Sequence, residues 1–159
     1  MIKRIALVAV LQLALVPLAV LPQLSARVTG ESYPMRVAPV DPIDPFRGAY
    51  VDLSYPDLRE GDMSDPPSLD DGDGGAVYAT LVEEDGFWVL GEYTRSRPED
   101  GPYLACDDRY WAIRCGIESW FASQEDARRL EGAVANGAVA TIKIDSRGNA
   151  AIVDLQPRQ

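Results

Sequence analysis

Two cysteines, no histidine and 25 acidic residues set the limits on the chemistry this 159-residue chain can carry. Without histidine, the Ser-His-Asp and Cys-His nucleophile systems and most transition-metal sites are excluded. A serine–lysine pair needs no histidine, but beyond residue 27 the only lysine is Lys143, and no serine nucleophile motif accompanies it. Carboxylates are so plentiful that paired spacings carry no information, and no Asp-Thr-Gly or Asp-Ser-Gly turn is present. The run Asp70, Asp71, Asp73 before Gly74-Gly75 invites a calcium reading but lacks the glutamate and further ligands of a calcium loop, which favours a solvated acidic loop. No Walker-type or dinucleotide-type glycine loop occurs. The sequence therefore shows no catalytic constellation, and it calls for no cofactor and no metal.

Cys106 and Cys115, in CDDRYWAIRC, suit a disulfide if the chain is exported; two buried thiols are the alternative. A bridge there closes a ten-residue loop and contributes about 2.7 kcal/mol through chain entropy.

Export is suggested by residues 1–27, MIKRIALVAVLQLALVPLAVLPQLSAR. Lys3 and Arg4 precede a mostly apolar run from Ile5 to Leu24, which as a helix spans about 30 Å, the thickness of a bilayer's hydrocarbon core. That run exceeds the usual signal-peptide core, and Leu24 occupies a position where a cleavage site prefers a small residue. An uncleaved transmembrane anchor is favoured over a cleaved signal, although Gln12, Pro17, Pro22 and Gln23 weaken it. In either case the basic amino end stays inside and residues 28–159 face outward. The localisation expected is the inner or cytoplasmic membrane, single-pass, with release to the periplasm after cleavage as the alternative.

Residues 1–27 contribute +3 to a net charge of −10, so the outward part carries −13. So acidic a surface, with no basic stripe, argues against nucleic-acid binding.

The elements that must position these residues are mostly strands. Residues 28–48 read as a polar linker running into an extended piece from Tyr33 to Val40, with Pro39, Pro42 and Pro45 forbidding a helix. Residues 49–55 alternate as a half-buried strand, and 56–75 form a surface excursion. Ala76–Glu83 and Phe87–Thr94 make a hairpin about Glu84-Asp85-Gly86. Tyr103–Cys106 and Trp111–Ile117 read as short strands, and Ala138–Ile144 and Ala150–Leu155 as a closing hairpin. Trp88, Trp111, Trp120 and Phe121 are read as core. One late helix is expected, capped by Ser123, with Ala127, Leu130, Ala133 and Val134 on one face and Asn136-Gly137 at its end. The expected class is α+β: an amino-terminal membrane helix, then a mostly antiparallel β domain with one late helix.

The stretch DPIDPFRGAYVDLSY, residues 41–55, resembles the signature of the GDYxxLxY family of bacterial proteins. Gly48, Tyr50, Leu53 and Tyr55 match, Arg47 stands before the glycine, and Asp41 fits the lead-in. Ala49 replaces the motif's aspartate, and residues 116–131 and the closing hairpin follow the family more loosely. The resemblance implies a membrane segment, an extracytoplasmic domain and an integral-membrane partner, with no established biochemical role. On the residues alone, Leu53 and Tyr55 share one strand face, and Arg47 can clamp Asp41 or Asp44. That reads as a stiff structural corner, or else as a binding face made by Arg47, Tyr50 and Tyr55.

The function expected is that of a membrane-tethered, non-enzymatic accessory or binding protein. The alternatives are an extracytoplasmic hydrolase using carboxylates or a non-histidine serine, and an envelope module that binds a small ligand.

Overall fold

The structure, a computed structural model, describes residues 2–41, 50–59, 74–109, 113–121 and 137–157. Helix α1 spans Ile2–Thr29, and eight strands follow: β1 Glu31–Asp41, β2 Tyr50–Ser54, β3 Ala76–Glu84, β4 Phe87–Thr94, β5 Tyr103–Asp107, β6 Ser119–Phe121, β7 Ala138–Ile144 and β8 Ala150–Pro157. A short 3₁₀ turn, Pro56–Leu58, leaves β2. All strand pairings are antiparallel and form two sheets, β6-β2-β1-β7-β8 and β4-β3-β5.

Alternation puts the core between the sheets. In β7, Ala138, Ala140, Ile142 and Ile144 are buried while the residues between them are half-exposed. Met35 and Val37 of β1 and Leu53 of β2 join them, and Val77, Ala79, Leu81, Leu104 and Cys106 come from the smaller sheet. Trp88 and Trp120 pack at the margin of this core, Trp88 edge-on to Tyr33 at 5.0 Å between ring centroids. The β3–β4 hairpin closes on Asp85 and Gly86, both at positive φ, as a tight two-residue loop matching the strand twist requires.

Two expectations need correction. Residues 28–32 are not a linker: α1 runs to Thr29, and after Gly30 the chain enters β1, the central strand of the larger sheet, which takes in the extended piece expected at 33–40. This strand accommodates its prolines. Pro34 lies where β1 pairs only with β7, so its missing N–H breaks no second ladder, and Pro39 sits at a register shift against β2. Second, no strand occupies 113–117; Arg114 makes an isolated bridge to Asp107, Gly116 turns at φ +79°, and the strand comes later as β6. The expected membrane helix is not supported by the structure: among the described residues no helix is long and apolar enough to cross a membrane. The side chains at many positions of α1 are not among those described. The late helix expected at 123–136 and the acidic run at 70–73 lie outside the described residues.

Candidate functional site

The described part of the motif falls at the end of β1 and on and just after β2. Asp41 ends β1 and pairs in register with Asp52 of β2, while Arg47, Gly48 and Ala49 lie outside the described residues. Tyr50 opens β2 opposite Phe121 of β6. Leu53 and Tyr55 point together into the core, 4% and 7% exposed. The Tyr55 hydroxyl donates to the Ile117 carbonyl at 2.8 Å, and the Leu53 N–H donates to the Glu118 carbonyl at 2.8 Å. Burial, with the Glu118 carboxylate nearby, pushes the Tyr55 phenol up, so it stays a neutral donor.

Glu118 organises the other side of this corner. Its carboxylate accepts from the backbone N–H groups of Cys115 and Gly116, the latter at 3.1 Å to both oxygens. Just upstream, Cys106 and Cys115 form the disulfide, with Cα atoms 4.0 Å apart, alongside the Asp107–Arg114 bridge. The staple, the Glu118 cradle and the Tyr55 anchor thus tie β5, the 113–118 turn and β2 into one unit. Tyr55 itself is buried and held by its hydrogen bond, so it offers little surface to a partner.

A second arrangement, which sequence reasoning missed, lies where α1 meets the β domain. Asp145 opens the β7–β8 turn and is the one buried charged or polar side chain among the described residues. One carboxylate oxygen accepts from the Ser25 hydroxyl at 2.6 Å and the Asn149 amide at 2.8 Å; the other accepts from the N–H groups of Arg147 and Asn149 at 2.9 and 3.0 Å. Burial alone would raise its pKa, but these hydrogen bonds outweigh burial and hold the carboxyl below its ordinary range. The Arg147 guanidinium adds contacts of 3.1 Å to Ser25 Oγ and 3.7 Å to Asp145. Lys143 donates to the Arg27 carbonyl at 3.1 Å, placing a cation at the carbonyl end of the helix.

Packing at this junction is close. Ala26 is fully buried, and a Cβ on Gly30 would come within 2.3 Å of the Ala26 carbonyl oxygen and 2.9 Å of the Ile144 backbone. Gly148, at φ +79°, abuts Tyr103 and accepts from the Ala105 N–H, so the same turn also touches the smaller sheet. The turn signal Asp-Ser-Arg-Gly was legible in sequence, but its partner Ser25 lies 120 residues away.

Beside the junction, a recess of about 820 Å³ is lined by Thr29, Glu31, Tyr33, Arg97, Tyr103 and Ser146 among others. Arg97 bonds to the Tyr103 hydroxyl at 2.6 Å and the Ser146 carbonyl at 2.9 Å, and its guanidinium lies over the Tyr103 ring. The recess presents acids and one engaged arginine, with the Tyr33 hydroxyl donating to Glu31 at 3.2 Å. Among the described residues no group of three metal-ligating side chains stands together.

The signature residues Leu53 and Tyr55 thus lie on and just after β2 in this two-sheet domain. A family model described as GDYXXLXY protein matches residues 12–155, and the chain belongs to that family. No curated protein and no solved structure matches it.

Proposed function

We propose that this protein is a membrane-tethered, extracytoplasmic accessory or binding subunit, not an enzyme, held by α1 and acting on an integral-membrane partner. The observation that carries the reading is the state of α1. It is continuous for 28 residues, yet Val10, Leu13, Val20, Leu21, Leu24 and Val28 are all about half-exposed or more. Apolar side chains left in water along a helix are costly unless another apolar phase covers them. A bilayer is the cover that fits a helix led by Lys3 and Arg4. The protein would then sit in the inner or cytoplasmic membrane with its β domain outside.

Two measurements test this. Alkaline extraction of membranes should leave the full chain with the lipid; release into the supernatant would remove the tether. Crosslinking in cells, followed by pull-down, should capture a specific integral-membrane protein. Arg47→Ala and Tyr50→Ala are the informative variants, since Tyr55 is already committed to the core. Loss of capture in either variant, with normal folding, would make the β1–β2 turn the docking surface.

One observation favours a second reading. The recess lined by Glu31, Tyr33 and Arg97 is large enough for a small ligand with both cationic and anionic groups. A rise in melting temperature on adding such compounds would support a ligand-binding module, and no shift across a broad panel would count against it.

A further inference from the structure

The residues outside 1–27 carry −13, yet cations gather where α1 leaves the domain. Arg27 is exposed on the last turn, Arg147 is 62% exposed and reaches Ser25 on the same turn, and Lys143 caps the Arg27 carbonyl. The acids nearest them are differently placed. Asp145 is buried and saturated by hydrogen bonds, and Glu31 and Glu99 face the recess, where Glu31 accepts from Tyr33 at 3.2 Å. A rim of three cations therefore stands at the base of the helix on an otherwise acidic protein.

The height of this rim is fixed by helix geometry. If the apolar run Ile5–Leu24 fills the hydrocarbon core, then Ser25–Thr29 rises about 7 Å above it, which is the depth of one headgroup layer. Ser25–Thr29 is also the segment that docks on the Asp145 turn, with Ala26 fully buried and Gly30 too close to Ile144 for any side chain. No flexible linker separates the helix from the sheet: Gly30 is the single residue between α1 and β1.

Resting on the tether reading above, we propose that the face formed by Arg27, Lys143 and Arg147 lies among the phospholipid headgroups of the outer leaflet. The guanidiniums meet lipid phosphates, and the β domain is thereby seated against the membrane in one orientation. The partner is the lipid surface itself, chosen by charge complementarity and by height. Such seating would place the Asp41 end of β1 about 30 Å along the strand from the lipid boundary.

The test uses the full chain in nanodiscs of phosphatidylcholine and phosphatidylglycerol containing a lipid with a nitroxide on its headgroup. Both native cysteines are in the disulfide, so a single added thiol can carry a fluorophore. Ser146→Cys places it on the proposed face, and Gln156→Cys places it near the far end of β8, about 20 Å along the strand. Quenching at Ser146→Cys should be at least about threefold that at Gln156→Cys, as expected for one position in the headgroup layer and one well above it. The difference should shrink when Arg27→Gln and Arg147→Gln are combined. Weak, equal quenching in discs that hold the chain would overturn the seated orientation and leave the tether standing. Strong quenching unchanged by the double substitution would overturn the arginine contact. Failure of the chain to enter discs at all would sink the tether and the seating together.

Discussion

At the helix junction the fixing contacts are polar: a buried carboxylate gathers four hydrogen bonds, two of them from its own turn's backbone and one from Ser25 of α1. At the motif corner they are largely apolar, with Leu53, Tyr55 and Ile117 packed inside, one phenolic hydrogen bond, and a covalent staple next to it. The first kind of contact orients one element on another and depends on the charge of a single group. The second belongs to the core and is insensitive to pH near neutrality. Leu53 and Tyr55 therefore read as part of what makes the domain fold, and the junction as what sets how the folded domain sits on its helix.

The largest effect should come from the corner. Tyr55→Ala deletes a buried ring and should lower unfolding free energy by about 3–5 kcal/mol. Tyr55→Phe strands only the Ile117 carbonyl and should cost about 1–2 kcal/mol. Urea unfolding of the full chain in mild detergent would separate the two. If Tyr55→Ala costs no more than Tyr55→Phe, the corner is not core and the contrast with the junction collapses.

Opening the disulfide ranks next. Replacing Cys106 and Cys115 together by alanine should destabilise by about 2.7 kcal/mol, the loop-closure value for a ring of this size. The Tyr55–Ile117 and Leu53–Glu118 bonds should survive, because Glu118 cradles the 115–116 backbone independently of sulfur. Loss of the fold on reduction would instead mean that the corner needs its staple to exist.

This corner also shows what a sequence can and cannot reveal. The disulfide spacing, the Asp85-Gly86 hairpin and the closing β7–β8 pair were legible because each is local: a short ring, a two-residue turn, an alternating run. The face shared by Leu53 and Tyr55 followed from strand periodicity. What was not legible depended on partners far along the chain. That the extended piece at 33–40 is a central strand emerged only from its pairing with β2 on one side and β7 on the other. The strand placed at 111–117 gave way to Ser119–Phe121 because Gly116 turns the chain first. No periodicity could join Ser25 to Asp145, since neither residue type nor spacing distinguishes that pair from any other serine and aspartate.

The junction should respond to acid through Asp145. Asp145 has a folded pKa below its ordinary value, so its stabilisation is complete above the usual carboxylate range and is lost as pH falls through the folded value. Between about pH 5 and pH 2, wild type should therefore lose stability more steeply than Asp145→Asn. At neutral pH Asp145→Asn should already cost about 1–3 kcal/mol, since an amide cannot accept all the bonds the carboxylate accepts. Identical acid profiles for the two proteins would place the titrating load elsewhere and remove the distinction drawn here.

The smallest effect tests whether the helix and the turn are coupled at all. Ser25→Ala removes one donor to Asp145 and a contact of Arg147, and should cost about 1 kcal/mol, because the carboxylate keeps its other three hydrogen bonds. The size matters less than the coupling. In a double-mutant cycle with Asp145→Asn, the two costs should fall short of additive by about 0.5 kcal/mol or more, since each substitution weakens the same Oγ–carboxylate bond. Additive costs would mean that Ser25 and Asp145 are near each other without acting together. The helix would then be held by the burial of Ala26 and the close fit at Gly30, a contact of shape rather than charge, and the junction would resemble the corner after all.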